Sequence, residues 1–401
     1  MSAPMDGVKV VEMGVWVAGP AAGLILADWG ADVVKIEPPG VGDPARLFAK
    51  MLGGDLPFNP PFEMDNRGKR SIVIDLATDE GRELGLEMID GADVFISNIR
   101  QKALVRLGFG PEQLMARNPR LIYAAVTGYG LEGPDADRAA YDIAAFWARS
   151  GVASMLTAPG GQPPFQRGGM GDHAAGLSAA GGISAALYAR EKTSVGQLVS
   201  TSLLRQGIYT LSFDLALTLR LGVGLQTADR KTMGNPAINC YRDSEGRWFW
   251  VVGLEAARHW PPLARCAGHP EWIEDARFAT PEARAGNAEL LIGLLDEVFA
   301  KRTRAEWAEI FDAEQDMWWA PVQTLDEVVA DPQVSAGGGF VEVPDGEGTT
   351  LLPATPVDFG AASCAPSGMA PEAGQDTDEV LAELGRDAAS IAELRERGVV
   401  A

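Results

Sequence analysis

Along the first half of the chain, short apolar runs alternate with stretches of helical spacing. Val8 to Met13, Ala31 to Glu37, Ser71 to Leu76, Asp93 to Ser97 and Leu121 to Thr127 read as strands, and Ala21 to Trp29, Asp79 to Ile89 and Pro111 to Asn118 as the helices between them. Near-continuous apolar strands separated by helices predict a parallel sheet covered on both faces, an α/β fold of the Rossmann-like, doubly wound kind. The first turn reads Gly14-Val15-Trp16-Val17-Ala18-Gly19-Pro20, so the GxGxxG dinucleotide fingerprint is absent and a nicotinamide enzyme is disfavoured. Pro38 to Gly68 reads as a long Pro- and Gly-rich loop, with turn signals at Gly42-Asp43-Pro44 and Asn59-Pro60-Pro61.

Beyond Arg220 the pattern changes. A hairpin is expected at Tyr241-Arg242 and Arg247 to Val252, followed by amphipathic helices. One is capped by Asn287 and carries Leu290, Leu291, Leu294, Leu295, Val298 and Phe299; the next opens on a Thr303/Glu306 capping box and carries Trp307, Ile310 and Phe311. These stripes predict a smaller α+β domain over 225–330. The large α/β domain is expected at 1–200 plus 331–401, with 201–224 as a linker helix. Trp318-Trp319 reads either as part of the small core or as the lining of an apolar pocket.

Composition narrows the function classes. Among 401 residues, 34 are basic and 55 acidic, and the net charge of −21 disfavours nucleic acid and anionic membranes as partners. No stretch reaches the roughly 18 apolar residues of a membrane span. With no leader-like amino terminus either, a cytoplasmic protein is expected. The three cysteines, Cys240, Cys266 and Cys364, form no CxxC pair, and His173, His259 and His269 are far apart, so no metal site is expected. Against the acidic background, Lys69-Arg70 and Arg100, Lys102 and Arg106 read either as a solvated face or as an anion-binding patch.

Gly168-Gly169-Met170-Gly171-Asp172-His173 is the chemically suggestive stretch. It places one carboxylate among glycines at the mouth of a helix built mostly of Ala, Gly and Ser. Asp favours helix N-caps, so Asp172 reads as a cap, as a reactive group, or as both.

Several short stretches, in order, resemble the family III CoA-transferases of CaiB/BaiF type, the group that includes formyl-CoA:oxalate and carnitine CoA-transferases and, as a divergent branch, α-methylacyl-CoA racemase. They are Ala18-Gly19-Pro20, Ala27 to Glu37, Gly42-Asp43-Pro44, Asn66 to Ser71, Ala92-Asp93-Val94 with Asn98, Leu107-Gly108-Phe109, Gly128-Tyr129-Gly130, Tyr141-Asp142, Gly171-Asp172 and Thr377 to Leu381. The resemblance implies an enzyme of the EC 2.8.3 type. It would move CoA from an acyl-CoA to a carboxylic acid through aspartyl anhydride and aspartyl-CoA intermediates, with CoA as substrate and no permanent cofactor. It also implies an interlocked homodimer.

On that resemblance Asp172 is the nucleophile, with amides at Gly169 and Gly171 stabilising its oxyanions. Asn98 and Arg106 are expected to contact the pantetheine and phosphate region, Ile74 to lie beside the adenine, Val17 and Ala18 to line the acyl pocket, and Tyr141 to stand near the nucleophile. Arg138 is the nearest substitute for a basic residue displaced from its usual place before that tyrosine. Val17 stands where the formyl-CoA enzyme has glutamine, and the run of four glycines is missing, so oxalate is not the expected acceptor. Racemases of the group use a His-Asp element where this chain has Tyr141-Asp142, which disfavours an acyl-CoA racemase. An intact Gly171-Asp172 disfavours a non-catalytic acyl-CoA-binding relative.

Overall fold

The computed structural model describes residues 2–51, 53–54, 56–225, 227, 229–362 and 364–401. These form two compact units, one of residues 2–154, 164–224 and 336–401, the other of residues 155–163 and 225–335.

The first unit is built on a six-stranded sheet: β1 (Lys9–Met13), β2 (Asp32–Glu37), β3 (Arg70–Val73), β4 (Val94–Ser97), β5 (Ile122–Thr127) and β6 (Leu198–Ser202). Every pairing is parallel and the order is β3-β2-β1-β4-β5-β6. Alternate side chains enter two separate cores. Val10, Val33, Ile96 and Val126 face one, and Val11, Val34, Phe95 and Tyr123 the other. A strand buried on both faces must be apolar throughout, which is why these strands were visible in the sequence. Successive strands are added toward one edge as far as β3 and toward the other from β4 on, so the strand order reverses between β1 and β4, and the crevice beyond their carboxyl ends is where open α/β sheets hold ligands.

Three local differences from the sequence reading have physical causes. Asn59-Pro60-Pro61 is the start of the helix Pro60–Asn66, with the Asn59 side chain accepting from the Phe62 amide and proline at its first positions. Asp43-Pro44 opens the short 3₁₀ turn Pro44–Leu47 in the same way, so the 38–68 segment is partly helical. Strand β6 had no apolar run to announce it: Leu198-Val199-Ser200-Thr201-Ser202 lies at the sheet edge and is mostly solvent-facing. The stretch 201–224 holds the end of β6 and the helices Leu203–Thr210 and Ser212–Leu221, all within the first unit.

Helix Ala18–Asp28 is buried almost all round, and helix Met170–Thr193 packs directly on it. Its small residues permit the approach. A Cβ on Gly176 would stand 2.7 Å from Ala21 Cβ and 3.0 Å from the Ala22 amide nitrogen.

The second unit has its own core. The antiparallel strands β7 (Ile238–Arg242), β8 (Trp248–Val252) and β9 (Trp319–Pro321) carry Tyr241 and Phe249 against Phe299, Trp307 and Phe311. The Thr303/Glu306 capping box forms, whereas the Asn287 side chain donates to the Arg277 and Ala283 carbonyls instead of capping the helix that follows it. Trp319 packs against this core, and Trp318 lies 4.6 Å from the His259 ring. Among the described residues, no helix is long and apolar enough to cross a membrane.

Candidate active site

The turn after β1 is held from below by buried charge. Lys35 Nζ donates to Glu12 (2.9 Å) and to the Gly14 carbonyl (2.8 Å); Lys69 Nζ donates to Glu12 (2.8 Å) and to the Pro20 carbonyl (2.8 Å). Asp43 completes the set, pairing with Lys35 Nζ at 2.9 Å. These side chains are fully buried. Burial alone would raise the Glu12 pKa, but the two ammonium groups outweigh it and hold the carboxyl below its usual range. Burial pushes the Lys69 ammonium down to about 8, assisted by Lys35 and opposed by Glu12. Lys69 is therefore structural. Arg70 pairs with Asp32, Glu379 and Glu383. The anion-binding reading of Lys69-Arg70 is corrected accordingly, since their partners occupy them from distant parts of the chain.

Above this base the turn is clamped. Asn98 accepts from the Val15 amide (2.9 Å) and donates to the Val15 carbonyl (2.7 Å), and Asp43 accepts from the Trp16 amide (3.0 Å). Gly19 is required beneath Asn98, because a Cβ there would stand 3.0 Å from its Oδ1. Trp16 is left with φ of +63°, a left-handed conformation uncommon for an aromatic residue.

Asp172 faces this turn across a cavity of about 400 Å³. The walls come from the turns after three strands: Val15, Trp16 and Ala18 after β1, Asn98 to Arg100 after β4, and Thr127 and Gly128 after β5. Tyr141 and Asp142 close another side. The crevice predicted by strand order thus coincides with the carboxylate singled out from sequence.

Asp172 is not the cap itself. Helix Met170–Thr193 is capped by Gly169, whose φ of +80° suits glycine, and Asp172 sits in the first turn. Burial pushes its carboxyl up to about 7, the nearby Asp142 carboxylate adds to the rise, and His173 pulls the other way. The positive helix end keeps an ionised Asp172 accessible despite that cost.

Asp142 was quoted in the sequence only as part of a motif. Its Oδ2 accepts from the Gly171 amide at 3.0 Å, and its buried Oδ1 has no hydrogen-bond partner among the described residues. Gly171 has no room for a side chain, since a Cβ would stand 2.2 Å from Asp142 Oδ1 and 2.3 Å from Phe146 Cγ. The segment after Asp142, Ile143–Ala148, is a π-helical turn. Such turns recur at functional sites. The Gly171 amide is engaged by Asp142, which corrects its expected role as an oxyanion donor.

The other expected residues divide clearly. Ala18, Asn98 and Tyr141 line the cavity; Val17 is buried behind Gly169. Arg106 borders a neighbouring hollow of about 180 Å³ with Arg100, Lys102 and Asp137, and Arg100 belongs to both spaces. Ile74 is fully buried and bridged to Val400, so an adenine reaches it only by displacing the chain terminus. Arg138 is exposed beside Asp135 and outside the cavity. His173 points elsewhere, its Nε2 lying 3.0 Å from Asp65 Oδ1, and it does not line the Asp172 cavity. It is thus no second base for proton exchange opposite Asp172.

The description "CoA-transferase family III" matches residues 5–377. The chain belongs to that family. It is 33% identical to the cinnamoyl-CoA:phenyllactate CoA-transferase of Clostridium sporogenes, covering 97% of this chain and 95% of the relative. It is 30% identical over 400 residues to the (R)-2-hydroxy-4-methylpentanoate CoA-transferase of Clostridioides difficile, covering 99% of each. Among solved structures, a CaiB/BaiF family protein from Brucella suis superposes with a TM-score of 0.82 at 31% identity, covering 96% of this chain and all of that one. The family III chain is accordingly an enzyme, a CoA-transferase acting on CoA thioesters.

Proposed function

We propose that Asp172 carries the transfer as a covalent nucleophile. The observation behind this reading is its place: a half-buried carboxylate on the first turn of a long helix, facing the cavity at the point where strand order reverses. A carboxylate oxygen attacks the donor thioester carbonyl, and the C–S bond breaks to give an acyl-aspartyl anhydride and CoA thiolate. The thiolate attacks Asp172 Cγ, releasing the donor acid and leaving an aspartyl-CoA thioester. The acceptor carboxylate then attacks Cγ and expels the thiolate, which attacks the acceptor carbonyl and frees both the new acyl-CoA and Asp172. No proton is consumed overall, and an acyl group stays activated, as thioester or as anhydride, until the thioester bond is restored in the new acyl-CoA.

Around this path the cavity supplies position. Ala18, Asn98 and Tyr141 border the thioester, and Arg100, Lys102 and Arg106 offer the phosphates of CoA a local positive field in an otherwise acidic protein. CoA is a substrate in this reading, with no resident cofactor assigned. Incubation with an acyl-CoA, followed by hydroxylamine or borohydride trapping and peptide mass analysis, is expected to place the adduct on Asp172. Unmodified peptide across a panel of acyl-CoAs would leave only a binding protein.

The same reading includes a homodimer. Helix Ser212–Leu221 buries none of its residues, with Phe213 88% and Leu219 83% exposed, which is more apolar surface than an isolated chain usually leaves open. Light scattering is expected to return twice the chain mass of 42.5 kDa. Three cysteines without disulfide partners accord with a reducing, cytoplasmic setting.

A further inference from the structure

Trp16 is held harder than a turn residue needs to be. Among the described residues only Trp16, Ser194 and Asp316 combine a side chain with positive φ, and Ser194 ends a helix, where that conformation is ordinary. A bulky residue stays in a disfavoured backbone state only where its surroundings over-determine it, and such strain gathers at binding sites. Here the determinants are visible: the Asp43 carboxylate under the Trp16 amide, itself locked by Lys35, and Asn98 clasping both backbone groups of Val15. The indole is also wedged. It meets Phe48 edge-on at 5.2 Å and Tyr141 edge-on at 6.0 Å, and it lines the cavity that Asp172 faces.

The charge of the cavity is equally one-sided. Among the described residues Arg100 is the only cation in its lining, and it also borders the hollow shared with Lys102 and Arg106, where the CoA phosphates are assigned. Two carboxylates, Asp142 and Asp172, line the same space. An acyl group bearing a second carboxylate would meet anions and aromatic edges; an aryl or branched apolar group would meet a fixed aromatic wall.

We infer that Trp16, with Tyr141 beside it, is the specificity-determining residue of the site, selecting acyl-CoAs whose acyl chain ends in an aryl or branched apolar group over those ending in a second carboxylate. The inference rests on the assignment of the Asp172 cavity as the transfer site. Its test therefore has a branch that needs no catalysis.

Transfer is measured for 3-phenylpropionyl-, acetyl- and succinyl-CoA as donors with one common acceptor, and the affinities of the unreactive thioether analogues are measured in parallel by calorimetry. The wild type is expected to prefer phenylpropionyl to succinyl in both assays. Trp16→Ala should erode that preference about tenfold or more, the scale expected for losing an apolar pocket wall. Trp16→Phe should keep most of it, and acetyl-CoA should lose less than phenylpropionyl-CoA, since a methyl group offers an apolar wall far less area than a phenyl ring. A wild-type preference for succinyl, or an equal loss for all three donors in Trp16→Ala, overturns the inference. If Trp16→Ala does not fold, the wild-type ratio and Trp16→Phe decide. If no donor reacts in the wild type, the transfer mechanism fails while the thioether affinities still decide the role of Trp16.

Discussion

Two groups of acids, wholly or partly buried, lie within the same unit and are treated in opposite ways. Glu12 and Asp43 are each matched by a lysine, and those lysines spend their remaining donors on the Gly14 and Pro20 carbonyls at either end of the first turn. Among the described residues no lysine or arginine pairs with Asp142 or Asp172, Asp142 keeps one oxygen unpartnered, and Asp172 is driven toward neutrality. The first arrangement satisfies charge in order to fix backbone. In the second, charge is left unsatisfied at the carboxylate proposed to form the covalent bond, and the rest of the fold sustains that cost.

The strongest way to break this contrast is at the two ends of it. Asp172→Ala is expected to abolish transfer while acyl-CoA still binds by calorimetry; retained turnover would dissolve the distinction. Glu12→Ala leaves two lysines facing one another with one carboxylate fewer. It should cost about 3–5 kcal/mol, the range for removing one partner of a buried pair, read by denaturant melting.

A finer test uses pH. The reactive form of Asp172 is the carboxylate, so kcat/KM should rise with pH through about 7 and plateau above it. Asp142 contributes to that rise, and Asp142→Asn should move the limb to lower pH, increasing the share of full activity retained at pH 6. A limb that does not move would leave burial and the Asp65 carboxylate as the causes of the rise.

Stability follows the opposite sign. A carboxyl raised from 3.8 to about 7 in the fold costs stability progressively as pH climbs between those values. Asp172→Asn, inactive, should therefore melt above the wild type at pH 8 and approach it below pH 4. The smallest effect is expected at Lys102→Ala, an exposed residue beside Asp137: a rise in KM for acyl-CoA of a few-fold that shrinks in high salt.

The fold was legible where burial left one choice of residue. Strands such as Val94–Ser97 and Ile122–Thr127 are enclosed on both faces and advertise themselves as apolar runs, while β6, half-polar at an edge, does not. At the site, Asp172 was found because glycines and a small-residue helix surround it, and each meets a physical need: the cap at Gly169 and the close approaches at Gly171 and Gly176. What sequence could not supply was partnership across the fold. Lys69 looks like a free cation until Glu12 is placed beneath it, and the Gly171 amide looks available until Asp142 arrives from the chain before it. The signal for Trp16 was present, a large aromatic in the turn ending the first strand of an α/β sheet, but its significance depends on Asp43 and Tyr141 being brought to it.

The contact of helix Met170–Thr193 with helix Ala18–Asp28 through Gly176 has a consequence for how such an enzyme diversifies. The proposed nucleophile, Asp172, is carried by one helix of a pair with no spare space between them, and it cannot be retuned by small shifts of its support, because even a methyl group at Gly176 forces the pair apart. New acids must be accommodated by exchanging residues in the turns opposite. Libraries built at Trp16 and Tyr141 should yield altered donors in soluble protein, while those built at Gly171 and Gly176 should yield mostly unfolded chains.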